Sequence, residues 1–413
     1  MIDAGEAVRT AERVARDSYG RLVAFLAART RDLAGAEDAL GEAFAAALRS
    51  WPTEGVPDNP DAWLLTVARR RQTDALRRRQ TRQIGEAQLK VIADELEDAA
   101  NTPEPIPDRR LALMFACAHP AIEPGMRAPL ILQTILGMSA EDIGAAFLVP
   151  PATMGQRLVR AKARIKDAGV PFAIPEPEEL PDRLEAVLDA IYAAYSKGWS
   201  ELDESGTPEM AGEAIWLGRL AISLLPNEPE AKGMLALMLY AEARRSARRS
   251  AAGAYVPLEQ QDTSLWDDSH IRLAETLLSE ASRGGPSGRY QLEAAIQSAH
   301  SARRLGGVAN WQVIVSLYDH LLARTHSPVV ALNRAIALAE TAGAEVALRE
   351  IESLAADKRM QTYQPYWAAR GHLLAEAGLK AEAHQALTLS IGLSTDEAVR
   401  AYLRARLSAL PDG

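Results

Sequence analysis

Seven arginines, Arg69, Arg70, Arg71, Arg77, Arg78, Arg79 and Arg82, stand within fourteen residues against one acid, Asp74. Guanidinium forks stay charged at any working pH and match phosphate oxygens in pairs. Trp63 and Thr66 precede the run, so a flat apolar ring lies beside the cationic stretch. Unstacked nucleic-acid bases need that combination. A second set, Thr153, Gln156, Arg157, Arg160 and Arg164, with Lys162 at its flank, joins groups that can bond base edges to groups that neutralise phosphate. A third, Asp38 and Glu42, sits one helical turn apart and reads either as a plain polar face or as an acidic docking face for a basic protein. Asp74 lies within a turn of Arg70 and Arg78 and reads as their ion-pair partner.

Other chemistries find no support. Cys117 and His119 form a lone Cys-x-His, too few ligands for a closed metal site, and both read as core or helix-end residues. There is no phosphate-cradling glycine loop, no Ser/His/Asp order and no carboxylate pair in an apolar setting. The chain therefore reads as a binding protein and not an enzyme, with no cofactor and no metal expected. A single cysteine excludes an intramolecular disulfide framework and suits a reducing compartment. MIDAGEAVRTAERVARD is charged throughout, unlike a signal peptide, and APLILQTILGM is too short to cross a bilayer. A cytoplasmic protein with no membrane partner is expected.

The elements that must position these residues are helical. The chain of 413 residues is rich in Ala, Leu, Arg and Glu, which predicts an all-α protein of two or three domains. Residues 1–175 hold 23 acidic and 23 basic side chains, so the whole net charge of −9 lies beyond them. A neutral front with local arginine clusters can bind nucleic acid; an acidic back half is not expected to. Residues 7–34 read as helix with Leu22, Val23, Phe25 and Leu26 as core. The next helix carries Leu40, Phe44, Leu48 and Trp51 as its apolar stripe and ends at WPTEGVPDNPD. The basic helix follows, nearly antiparallel, with Leu64, Leu65, Ala68, Arg71, Ala75 and Leu76 along a partly buried face. Residues 83–108 read as a linker. In 139–166, Ser139 and Asp142 make a capping pattern for a short helix with Ile143, Ala146 and Phe147 inward. A tight turn at Val149-Pro150 leads to a second helix that buries Met154, Leu158, Ala161 and Ile165. That is helix-turn-helix spacing. A proline-rich boundary (171–182) precedes successive amphipathic helices. Among them, Ala331-x₂-Arg334-Ala335-x₂-Leu338 and Trp367-x₂-Arg370-Gly371-x₂-Leu374 repeat at an offset of 36, near tetratricopeptide (TPR) spacing.

AEDALGEAFAAAL, DAWLLTVARR and DALRRR resemble region 2 of the extracytoplasmic-function (ECF) sigma factors of bacterial RNA polymerase. FACAHPAIEP, ILGMSAEDIGAAFLVP and ATMGQRLVRAKARI resemble their region 4. QDTSLWDDSHI, YQLEAAIQSAHS, WQVIVSLYDHLL and SPVVALNRAIALAE resemble the TPR-like extension of one sigma subgroup, so the likeness covers nearly the whole chain. It implies region 2 over 1–82, region 4 over 109–170 and a TPR-like α-solenoid over 183–413. It implies core RNA polymerase (β′ clamp helices and β flap region) and promoter DNA as partners, with a protein partner on the extension. By the resemblance, Asp38 and Glu42 meet the clamp helices. Trp63, Arg69, Arg70, Arg71, Arg77 and Arg78 engage the −10 element, and Thr153, Gln156, Arg157, Arg160 and Arg164 the −35 element. Arg71 departs from the family's common Asn, and Ala118 from a frequent second cysteine. Two alternatives stand beside this reading: a helix-turn-helix regulator with a TPR domain that does not replace a sigma factor, and a TPR scaffold whose basic helix is incidental.

Overall fold

The computed structural model describes residues 33–80, 109–167, 175–200, 209–285, 287–306 and 309–410, with isolated residues before position 28. The protein is all-α: among the described residues helices are joined by turns and irregular loops, and the one β contact is an isolated antiparallel bridge, Arg249 to Tyr255. The chain forms two compact units, 1–224 and 225–413.

In the front unit the first helix described along its whole length is α1, Leu33–Glu54, whose buried line is Ala36, Leu40, Ala43, Ala47 and Trp51. Three alanines on that line let the next helix approach closely. Gly55, at φ +95°, ends α1 in the left-handed region, and its N–H reaches the Trp51 carbonyl at 3.0 Å. Asn59 caps α2, Pro60–Gln80, by accepting from Ala62 N–H at 3.0 Å, with Pro60 in the first turn. Leu64 and Ala68 face α1, and Trp63 meets the buried Trp51 edge-on, ring centroids 5.5 Å apart.

Several expectations change here. The first helix does not stop at Pro52 but runs on to Glu54, because a proline in a closing turn removes only one backbone donor. Leu48 is 47% exposed; the alanine line, not Leu48, sets the buried register. Arg71 is also outside the buried stripe and pairs with Glu42 instead. Leu22, Val23 and Leu26 are buried as expected, while Phe25 and the linker 83–108 lie outside the described residues.

Among the described residues this unit has six more α-helices: α3 (Arg109–Cys117), α4 (Pro124–Thr134), α5 (Ala140–Ala146), α6 (Pro151–Asp167), α7 (Leu180–Ser200) and α8 (Glu209–Leu224). Residues 111–118 of α3 and its end are wholly buried, as are Leu130, Ile131 and Leu132 of α4. Helix α7 lies against α3, α4 and α5, and α8 packs on α7. Pro177–Glu179 form a 3-10 turn whose backbone leads straight into α7, so helix begins inside the proline-rich stretch. Arg183 is buried there; it pairs with Glu179 at 2.7 Å and donates to the Phe115 carbonyl at 3.3 Å.

The second unit is a succession of helices: α9 (Pro229–Ala243), α10 (Asp268–Ala281), α11 (Arg289–Ser301), α12 (Trp311–Thr325), α13 (Pro328–Ala342), α14 (Ala344–Ser353), α15 (Lys358–Gln361), α16 (Gln364–Glu376), α17 (Lys380–Leu393) and α18 (Glu397–Ser408). The two repeated sequence frames fall on α13–α14 and α16–α17. Gly343 (φ +86°) and Gly378 (φ +78°) break the two pairs, one position out of the repeat register. A Cβ on Gly371 would lie 2.8 Å from Leu387 Cγ, so α16 and α17 approach closely there and a larger residue would have to displace the Leu387 side chain. The segment between α9 and α10 reaches α18, through Arg249 to Asp396 at 2.6 Å and Tyr255 edge-on to Tyr402.

Candidate nucleic-acid interface

Antiparallel packing of α1 and α2 sets an acidic face beside a basic one. Asp38 and Glu42 are exposed on α1, and Arg69 and Arg70 are exposed on α2. Arg71 and Glu42 bridge the two helices at 3.4 Å with both side chains largely in water. A pair so exposed contributes about 0–1 kcal/mol and leaves Arg71 able to exchange Glu42 for a phosphate. Trp63 is half-buried, its contact with Trp51 fixing where it can stand. The Thr66 hydroxyl donates to the Ala62 carbonyl at 2.8 Å, a bond internal to the helix. The backbone of α2 carries Asp74, Arg77, Arg78 and Arg79, whose side chains lie outside the described residues, as does Arg82.

The second cationic set is built by α5, a tight turn and α6. Ser139 accepts the Asp142 N–H at 3.1 Å and donates its hydroxyl to the Asp142 carboxylate at 2.6 Å, which starts α5. Leu148, at φ +52°, turns the chain. A Cβ on Gly144 would sit 2.6 Å from the Val149 carbonyl oxygen, so the turn can fold back this tightly only over glycine. Pro151 then begins α6. Met154 and Leu158 are its buried anchors, while Ala161 and Ile165 are only half-buried. On α5, Ile143 and Gly144 are buried; Ala146 is exposed and Phe147 half-buried, because a helix of seven residues has room for one inward position besides its glycine. Gln156, Arg157, Arg160 and Arg164 are exposed and Thr153 is half-buried. Arg164 lies 4.0 Å from Glu123, a distant and fully wet pair.

Two ion pairs that sequence spacing could not announce hold this arrangement. Lys197 of α7 meets the Asp142 carboxylate at 2.6 Å. Burial pushes that carboxyl up, but hydrogen bonds from Lys197 and Ser139 outweigh it and hold it below the usual range. Lys162 of α6 meets both oxygens of Glu37 on α1 at 2.9 Å, joining the two cationic sets 125 residues apart. Close to that pair, burial pushes the Cys117 thiol well above its ordinary value, with the Glu37 charge adding to the effect and Lys162 opposing it. The thiol therefore stays protonated and unreactive. Burial, then the Arg183 charge, lowers His119, whose Nδ1 accepts the Ala121 N–H at 3.1 Å. Among the described residues no group of three or more His, Cys, Asp or Glu could hold a metal ion, and no helix is long and apolar enough to cross a membrane. The two sets together present exposed cationic forks, a half-buried aromatic ring and an exposed amide.

Comparison with known proteins gives four findings. Residues 14–82, which include α1 and α2, match sigma-70 region 2. Residues 183–282 match a family of unknown function, DUF6596. Over 386 residues the chain is 38% identical to an uncharacterised protein, R00370, of Rhizobium meliloti (strain 1021), an alignment spanning 92% of this chain and 91% of that one. No solved structure matches.

Proposed function

We propose, from the premise that the chain belongs to the sigma-70 family and has a sigma-factor-like role in transcription initiation, that it is a promoter-reading subunit of the ECF type. The region 2 match supports binding to core RNA polymerase and to promoter DNA. The observation that carries the finer reading is the placement of both binding chemistries on two adjoining helices of the matched segment. On α1, Asp38 and Glu42 face the polymerase β′ clamp helices. On α2, Trp63 stacks an unpaired base of the −10 strand while Arg69, Arg70, Arg71, Arg77 and Arg78 follow its phosphates. Helices α5 and α6 act as a helix-turn-helix beside the β flap, with Thr153, Gln156, Arg157, Arg160 and Arg164 at the −35 duplex. The family acts by binding, and this chain works where the polymerase works, in the cytoplasm. The TPR-like second unit regulates the front one by receiving a protein partner.

The reading carries a geometric requirement. Elements named −10 and −35 lie about 25 base pairs apart, roughly 85 Å of duplex at 3.4 Å per step. Lys162 and Glu37 are in contact, so α6 must leave α1 before both elements are held at once. Reconstituted transcription with core polymerase tests the whole reading. A chain that binds duplex tightly alone yet gives no transcript with core polymerase would instead be a regulator acting beside another sigma factor.

A further inference from the structure

Val159 is 69% exposed, the most exposed large apolar side chain among the described residues of the front unit. It lies in the middle of α6, between Leu158, which is buried, and Arg160, which is exposed. At about 100° per residue, positions 152, 156, 159 and 163 fall within roughly 60° of one another, opposite the buried Met154 and Leu158. The outermost ridge of α6 is therefore Ala152, Gln156, Val159 and Ala163, all exposed, with arginines only to one side. A β-branched residue on a solvated helix ridge gains nothing from packing and is a poorer helix former than Ala, Lys or Glu. Single exposed apolar residues are ordinary on protein surfaces. This one is set apart by standing next to the only amide of the ridge and beside Arg157, Arg160 and Arg164, so its partner is anionic.

We propose that Val159 contacts the C5-methyl group of a thymine in the duplex that α6 enters, and so fixes one base pair of the upstream promoter element. The inference rests on reading α6 as the duplex-binding helix. The major groove shows one apolar group, the thymine methyl, and an exposed aliphatic side chain is its natural reader. Gln156 can pair with adenine through N6 and N7. The rise from Gln156 to Val159 is about 4.5 Å, a little over one base-pair step of 3.4 Å. The thymine therefore lies within two base pairs of the adenine read by Gln156.

The test uses the full chain with core polymerase. A promoter duplex is selected from a random library by this complex, and deoxyuridine then replaces each thymine of the upstream element in turn, which removes only a methyl. The wild-type complex loses affinity at one thymine by about fourfold, the ~0.8 kcal/mol of one buried methylene-sized group at ~1.4 kcal/mol per tenfold. Val159→Ala binds the thymine duplex about fourfold more weakly and is insensitive to deoxyuridine there; Val159→Thr, which keeps one methyl, falls between. The site is exposed, so equal melting of the variants checks that folding is not the cause. The proposal is overturned if no thymine is methyl-sensitive in the wild type, or if the same sensitivity persists in Val159→Ala. It is also overturned if Val159→Ala lowers transcription equally on every duplex, the sign of a protein contact. Failure of the complex to select any upstream element would remove the reading of α6 itself, a different and recognisable result.

Discussion

Cutting the chain after residue 182 should destroy the front unit, whereas cutting after residue 224 should spare it. Helix α7 buries Leu184, Val187, Leu188, Ile191 and Tyr195, each at most 4% exposed, in the same unit as Leu113, Met114 and Phe115 of α3 and Leu130 and Ile131 of α4. At about 1.5–3 kcal/mol for each large apolar side chain, removing α7 forfeits on the order of 10 kcal/mol of gross burial. It also uncovers the faces of α3 and α4 that α7 covered. The loss is as large as the whole net stability of an ordinary domain, roughly 5–15 kcal/mol. The cut further deletes Lys197, the cation on Asp142 at the start of α5. Calorimetry and far-ultraviolet circular dichroism on residues 1–182, 1–224 and the intact chain read this directly. We expect a cooperative transition from 1–224 and none, with aggregation, from 1–182. A cooperative transition in 1–182 at the temperature of 1–224 would refute the argument and return α7 and α8 to the second unit.

Three other outcomes follow from the geometry. Burial, aided by the Arg244 and Arg303 charges, holds His300 down to about 4, so the folded form binds fewer protons than the unfolded one between that value and 6.5. The contribution of His300 to the stability of the second unit is then full above pH 6.5 and falls by up to about 3 kcal/mol as pH drops to 4; in His300→Phe, which keeps a ring against Trp311, acid titration of the melting temperature should show a slope reduced by that contribution. Glu37→Gln should lengthen the distance between labels at Ala45 and Ala163, measured by single-molecule energy transfer. The reversed pair, Glu37→Lys with Lys162→Glu, should restore the short distance, and an unchanged distance in Glu37→Gln would show that other contacts hold α6 to α1. Arg157→Ala should weaken binding to selected promoter duplex and reduce the slope of log affinity against log salt by about one, the value of one lost phosphate contact.

What could be read before the structure follows the range of the forces involved. Capping by Ser139, the turn into Pro151 and the burial of Met154 and Leu158 are set by residues within a few positions of one another, and the structure has them where their spacing put them. So are the repeated frames that became α13–α14 and α16–α17. Leu48 misled because size suggested burial, while the contact with α2 needed the small side chains of Ala43 and Ala47. Arg71 misled because helical periodicity says which residues share a face and not which face is covered. Lys162 with Glu37 and Lys197 with Asp142 had no local signal at all, since each pair is made by folding distant segments together. Val159 was visible in the sequence as an apolar residue in a basic helix, but only its exposure separates a ridge residue from a core one.

The central claim is that this chain gives core RNA polymerase its choice of promoter. Multi-round transcription with purified core polymerase and a template library tests it, comparing the intact chain with a variant carrying Asp38→Arg and Glu42→Arg. The account predicts transcripts that start downstream of a shared two-part motif, lost in the variant although its binding to the upstream duplex survives. No motif-dependent transcript from the intact chain with core polymerase, alongside tight duplex binding without it, would contradict the account.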